Sequence, residues 1–177
     1  YANQPLILGW NLARLAETLV PLLDPVREKA IDLANDRLTG IAPLYRAEWL
    51  AVMRRKLGLI GKDEGDAALA DDLLTAMEGA DWTLTFRRLA TATTGDTSTL
   101  APLFADPTAL MAWLPRWQAR LAPDAAARMN RANPAIIPRN HMVEEALADA
   151  TTGDLAAFDA LLATITDPFA DNPANER

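Results

Sequence analysis

The chain has 177 residues, 50% of them hydrophobic, with 24 acidic against 17 basic side chains and a formal net charge of −7. That balance argues against sequence-independent nucleic-acid binding, which runs on neutralising phosphates. The absence of cysteine excludes disulfides, thiolate catalysis and cysteine-based zinc sites within these residues.

Plentiful alanine and leucine with only 6% aromatics favour helix, and apolar residues recur at spacings of three and four nearly throughout. Pro5 opens a first helix through Leu6, Ile7, Trp10, Leu12, Leu15, Leu19 and Leu22, ended or kinked by Pro21 and Pro25. A second runs from Pro25 to Leu38 with Gly40 as its C′ residue, and a third from Pro43 to Leu57, closed by Gly58. After a loop at 58–65, Asp66 reads as the cap of a fourth helix through Leu69, Leu73 and Met77, stopped by Gly79. Asp81 caps a fifth, with Trp82, Leu84, Phe86 and Leu89 inward. The Thr-rich tract 91–99 reads as an exposed loop. Asp106-Pro107 is an N-cap followed by proline at N1, opening a helix to about Leu121. Pro123-Asp124 starts a short helix to Asn130, and Pro138 starts another to Ala150. Gly153 ends that helix. Asp154 caps the last one, with Leu155, Phe158, Leu161, Leu162 and Ile165 inward and Asp167-Pro168 as its stop. The tail 170–177 is expected to be loose. The resulting expectation is an all-α fold, a multi-helix orthogonal bundle of eight to nine helices forming one domain over residues 1–177.

No apolar run reads as a membrane span of about 18 residues, and no signal peptide is visible. The chain opens on Tyr1, so its start is expected to be a cut and not a translation start.

Most candidate motifs reduce to structure. Gly61-Lys62 lacks the P-loop pattern, since Lys56 stands where the first glycine is required and Asp63 follows the lysine. Asp63, Glu64 and Asp66 do not fit a calcium loop, because its fifth and twelfth positions would be Ala67 and Leu74; a solvated turn with a helix cap is expected. His141, the only histidine, cannot build a His-rich metal site and reads as structural or exposed. Glu144 and Glu145 point about 100° apart on a helix and do not converge. Arg54-Arg55-Lys56 is a short basic run, read as a solvated face ahead of a site for acidic groups. Trp10, Trp49, Trp82, Trp113 and Trp117 fall on apolar stripes and read as core anchors, with Trp113 and Trp117 stacked on one face.

Residues 129–146 are the most informative stretch. Pro134 and Pro138 fix φ and remove two donors, making a shaped connector, and Arg139-Asn140 then enters the first turn of a helix. The spacing Asn133-Pro134, Arg139-Asn140, Ala146 resembles a signature near the C-terminus of the selenoprotein O (YdiU) family, pseudokinase-fold protein adenylyltransferases. Four further pieces resemble that family in order. They are Tyr1–Pro5 with Trp10–Ala16, then Arg55–Leu59, then Asp81–Thr83 with Phe86–Leu89, and finally Gly153-Asp154 with Leu161-Leu162 and Asp167-Pro168. His141 and Glu144 depart modestly from the family pattern.

The resemblance implies the C-terminal helical portion of a kinase-like C-lobe. The family's nucleotide-binding lysine, paired glutamate, glycine-rich segment, catalytic loop and metal motif would all precede Tyr1. No catalytic, cofactor-binding or metal-binding residue is therefore carried over. ATP with Mg²⁺ or Mn²⁺ is implied for the intact protein only. Gln4, Trp10 and Asn11 are implied as possible support for the upstream site, and Asn133, Pro134, Arg139 and Asn140 as a structural signature, of which Arg139 and Asn140 are expected to pin the C-terminal helices together. The implied partners are the rest of the protein's own chain and protein substrates, with no nucleic acid and no membrane, in the cytoplasm. The alternative is a free-standing all-α interaction module without enzymatic activity.

Overall fold

The structure is a computed structural model that describes residues 3–170. Among the described residues it contains nine α-helices, one short 3-10 helix and no strand, so the fold is all-α. The expected tail lies, from Asp171 onward, outside the described residues, as do Tyr1 and Ala2. The chain divides into two compact units, Tyr1–Val52 and Met53–Arg177.

The first unit contains α1 (Gln4–Leu23), α2 (Arg27–Thr39) and most of α3 (Ile41–Lys56). Pro5 lies in the first turn of α1, where its missing N–H has no helical partner to lose. Asp24 turns extended at the end of α1, and its carboxylate accepts the Val26 N–H at 2.7 Å. Helix α1 packs on α2, which buries only Ala30 and Ala34, small residues four apart on one face. The stripe of large residues on α1 was expected to be core, yet α1 buries none of them, and Leu6 and Leu22 are 75% and 80% exposed. Of α2 only two alanines are buried, and most of the large side chains of the α1 stripe stay in solvent. Gly40 does not take the left-handed conformation expected of a C′ glycine; its φ is −73°, and the chain passes directly into α3.

The second unit holds α4 (Asp66–Ala76), α5 (Trp82–Ala92), α6 (Pro107–Gln118), α7 (Ala125–Ala132), α8 (Asn140–Thr151) and α9 (Ala156–Ile165). Helix α4 packs on α6, α5 on α7, and α8 on α9. Its core is built from Leu57, Leu73, Phe86, Leu89, Leu110, Trp117 and Met129, all fully buried. Each such side chain contributes about 1.5–3 kcal/mol through burial. Trp113 and Trp117 stack at 5.3 Å with an interplanar angle of 17°, as their spacing on α6 predicts. Both indole N–H groups find acceptors across the core, Trp113 on the Leu69 carbonyl and Trp117 on that of Leu57.

The turn after α3 packs closely on α7. Gly58 has φ +67°, and a Cβ there would meet Met129 Cγ at 2.9 Å and Ala125 Cβ at 3.0 Å. The backbone beside it forms a single antiparallel bridge, Leu59 to Leu121. Ile60 N–H donates to Arg120 C=O, and Ala122 N–H to Gly58 C=O, both at 3.0 Å.

Three expectations of burial are corrected. On α5, Trp82 is 49% exposed, and Thr83 and Thr85 are buried beside Phe86 and Leu89. On α9, none of the residues is buried, and Leu155, Phe158 and Leu162 are exposed, because only α8 packs against it at element scale. Trp10 likewise is 62% exposed and does not anchor a core.

Candidate functional site

Asp66 was expected to cap α4, but Gly65 occupies the N-cap position and Asp66 is the first helical residue. Its side chain is buried and serves a different purpose. One carboxylate oxygen accepts Arg54 Nε at 2.6 Å and the Asp63 N–H at 3.0 Å. The other accepts Arg120 Nε at 3.1 Å and Nη2 at 2.9 Å. Burial pushes this carboxyl up, yet the donors from Arg54, Asp63 and Arg120 outweigh it and hold the group below the usual carboxylate range. Arg54 and Arg120 also donate to the carbonyls of Asp63 and Ile60. One buried acid thus ties the end of α3, the 58–65 loop and the end of α6 together.

Beside it lies a cleft of about 410 Å³ lined by Asp63, Asp66, Asp72, Arg116 and Arg120 among others. Its charges answer one another, since Arg116 pairs with Asp72 at 2.6 Å and Arg120 with Asp66. A second cleft, of about 310 Å³, is lined by Arg55, Arg128, Arg131 and Ala132.

The signature residues form a network. Asn133, at the end of α7, is buried and donates its side-chain amide to the Lys56 carbonyl at 2.8 Å, satisfying a helix-end acceptor of α3. Arg139 Nη2 donates to Asp81 Oδ2 at 2.9 Å, and Asp81 also accepts the Leu84 N–H as the N-cap of α5. Burial pushes the Asp81 carboxyl up, but the Leu84 N–H and the Arg139 guanidinium hold it below its ordinary value. Past half-buried Pro134, the connector is pinned by Ala135 N–H, which donates to the Pro168 carbonyl at 2.7 Å. Asn140 is the first residue of α8 and exposed, so among the described residues the pinning falls to Arg139.

Arg87 joins the same network, which the sequence alone did not reveal. It donates to the carbonyls of Asn130 and Asn133 at 2.9 and 3.1 Å and to that of Phe169 at 3.1 Å. It thereby caps the C-terminal carbonyls of α7. The signal was present in Phe86–Leu89, but nothing in the spacing said which carbonyls the arginine meets.

Gln4, Trp10 and Asn11 lie on α1, all exposed, with Arg14 over the Trp10 ring at 5.7 Å. Among the described residues no three His, Asp or Glu side chains gather as metal ligands, and His141 is exposed. Helix α1 is long and apolar enough, by length and composition, to cross a membrane, which the uninterrupted-run criterion missed. It carries an ion pair at mid-length, Arg14 with Glu17.

Comparison with known proteins places these contacts in context. The family model described as protein adenylyltransferase SelO matches residues 1–166. A protein nucleotidyltransferase YdiU of Cereibacter sphaeroides (strain KD131) is 62% identical over 99% of this chain. Proteins of the same description from Rhizobium meliloti and Agrobacterium fabrum are 49% and 46% identical, each over 99% of the chain. The chain spans only 37–38% of the length of these relatives.

Proposed function

Because this chain belongs to the SelO protein adenylyltransferase family, we propose that it is the C-terminal helical scaffold of a cytoplasmic enzyme that transfers AMP from ATP to protein hydroxyls. In the intact protein, ATP and Mg²⁺ or Mn²⁺ would be held by the part outside these residues. The residues described here do not offer a fitting metal-ligand group, and no step of the transfer is assigned to them. The observation that carries the scaffold reading is the mutual contact of the family-like segments. Lys56 meets Asn133, Asp81 meets Arg139, Arg87 meets Asn133, and the connector meets Pro168. Side chains devoted to binding one another are a frame and not a reaction centre.

The apolar surface of α1 supports a partner in the rest of the protein's own chain. Leu6, Trp10 and Leu22 are large apolar side chains of α1 left exposed, which water solvates poorly. On this reading Gln4, Trp10 and Asn11 brace the neighbouring catalytic part. The test compares AMP transfer from labelled ATP to protein by the full-length protein and by the 177-residue chain. Transfer by the full-length protein and none by the chain is expected. Turnover by the chain alone, or none by the full-length protein, would overturn the reading. For the bracing role, Trp10→Ala with Asn11→Ala in the full-length protein is expected to lower transfer at unchanged thermal stability. Unaltered transfer would refute it.

A further inference from the structure

We infer that the cleft between the end of α3 and α7 is a binding site for a phosphoryl group carried by a small molecule. The second unit employs most of its arginines internally. Arg54, Arg116, Arg120 and Arg139 pair with carboxylates, while Arg87 and Arg88 donate to backbone carbonyls. The other arginines described there are Arg55, Arg128 and Arg131, and all three line one cleft of about 310 Å³. Arg128 approaches Asp124 at 3.9 Å, a distance too long for a hydrogen bond. Arg55 and Arg131 make no ion pair among the described residues, and both are exposed.

Three arginines line one cleft, only Arg128 of them has a carboxylate nearby, and the chain as a whole is acidic, so composition does not explain the cluster. An anion with several acceptor oxygens answers these charges. Guanidinium forks match a phosphoryl group through paired N–H···O bonds, and an open cleft of this size admits a phosphoryl group from solvent.

The platform is also preorganised. Asn133 bonds the last carbonyl of α3, Ala122 N–H bonds the Gly58 carbonyl, and Met129 of α7 lies against Gly58. The two elements that carry the arginines are therefore fixed relative to each other before any ligand arrives, which lowers the ordering cost of binding. This inference is independent of the AMP-transfer reading.

The probe is inorganic phosphate, titrated at low ionic strength into the 177-residue chain and followed through the arginine Nε–Hε NMR signals. Saturable shifts of Arg55, Arg128 and Arg131 are expected, with binding about tenfold weaker in the Arg55→Gln, Arg131→Gln variant, since charge-assisted bonds are lost. Both positions are exposed, so unchanged circular dichroism is expected and is checked. Four results would overturn the proposal: no saturable shift, equal binding by the variant, equal response to chloride, or response to a hexaglutamate peptide and not to phosphate. The last would reassign the cleft to an acidic protein partner. The titration is repeated on the full-length protein, where loss of the shift would mean that the rest of the chain covers these arginines and would equally overturn it.

Discussion

The side-chain amide of Asn133 donates to the main-chain carbonyl of Lys56 at 2.8 Å, across 77 residues of sequence. Asn133 is buried and Lys56 ends α3, so the bond satisfies an acceptor that the helix itself cannot. Asn133→Ala is expected to destabilise the second unit by about 0.5–1.5 kcal/mol, the net worth of a part-buried hydrogen bond. Asn133→Asp should cost more, because it sets a carboxylate against that carbonyl. Urea denaturation of the two variants checks both the size and the order. An aspartate variant as stable as wild type would show that the amide proton does not matter.

Asp66 carries the clearest pH dependence. Its folded-state pKa is depressed, so the stability it contributes is complete above the unfolded value of about 3.9 and is lost as pH falls toward the folded value. Asp66→Asn leaves Arg54 and Arg120 facing a neutral group and is expected to cost about 3 kcal/mol or more at pH 7. The gap between wild type and variant should narrow as pH is lowered from 4 toward 2. Denaturation midpoints measured across that range decide it; a gap that stays constant would mean the carboxylate charge is not what holds the loop.

Gly58 tests the closeness of the turn to α7. Its φ of +67° strains any side chain, and an added Cβ would lie 2.9 Å from Met129 Cγ. Gly58→Ala is expected to cost about 2–4 kcal/mol, combining backbone strain with overpacking. Met129→Ala alone opens a cavity and costs about 2–5 kcal/mol. The double variant should cost less than the sum, since the clash and the cavity partly cancel. Strict additivity in thermal denaturation would place the cost of Gly58→Ala outside the Met129 contact, in its backbone and in the approach of Ala125 Cβ.

The sequence made the helices legible because period, proline and caps act locally. Asp81 and Asp106 cap α5 and α6 as their positions before the apolar stripes suggest, and Trp113 and Trp117 stack as spacing dictates. Burial was less legible. Amphipathic spacing says which face of α1 or α9 is apolar, but not whether another element covers it; here Trp10 and Phe158 remain exposed. The arginine partners were hidden for a similar reason. Arg54 lies 12 residues from Asp66 and Arg120 lies 54 from it, and no local rule links residues so far apart.

Asp81 and Arg139 separate two functions of one carboxylate. Asp81 caps α5 through the Leu84 N–H and pairs with Arg139 through its other oxygen. The pair is substantially exposed, at 42% for Arg139 and 29% for Asp81, so solvent screens it and Arg139→Ala should cost only about 0.2–1 kcal/mol. Asp81→Ala loses the cap as well and should cost about 1 kcal/mol more. Asparagine caps as well as aspartate, so Asp81→Asn is expected to match Arg139→Ala and not Asp81→Ala. Adding Arg139→Ala to Asp81→Ala should change nothing further. Chemical denaturation of the four variants resolves the ranking, and an Arg139→Ala cost equal to that of Asp81→Ala would mean that the ion pair, and not the cap, fixes the start of α5.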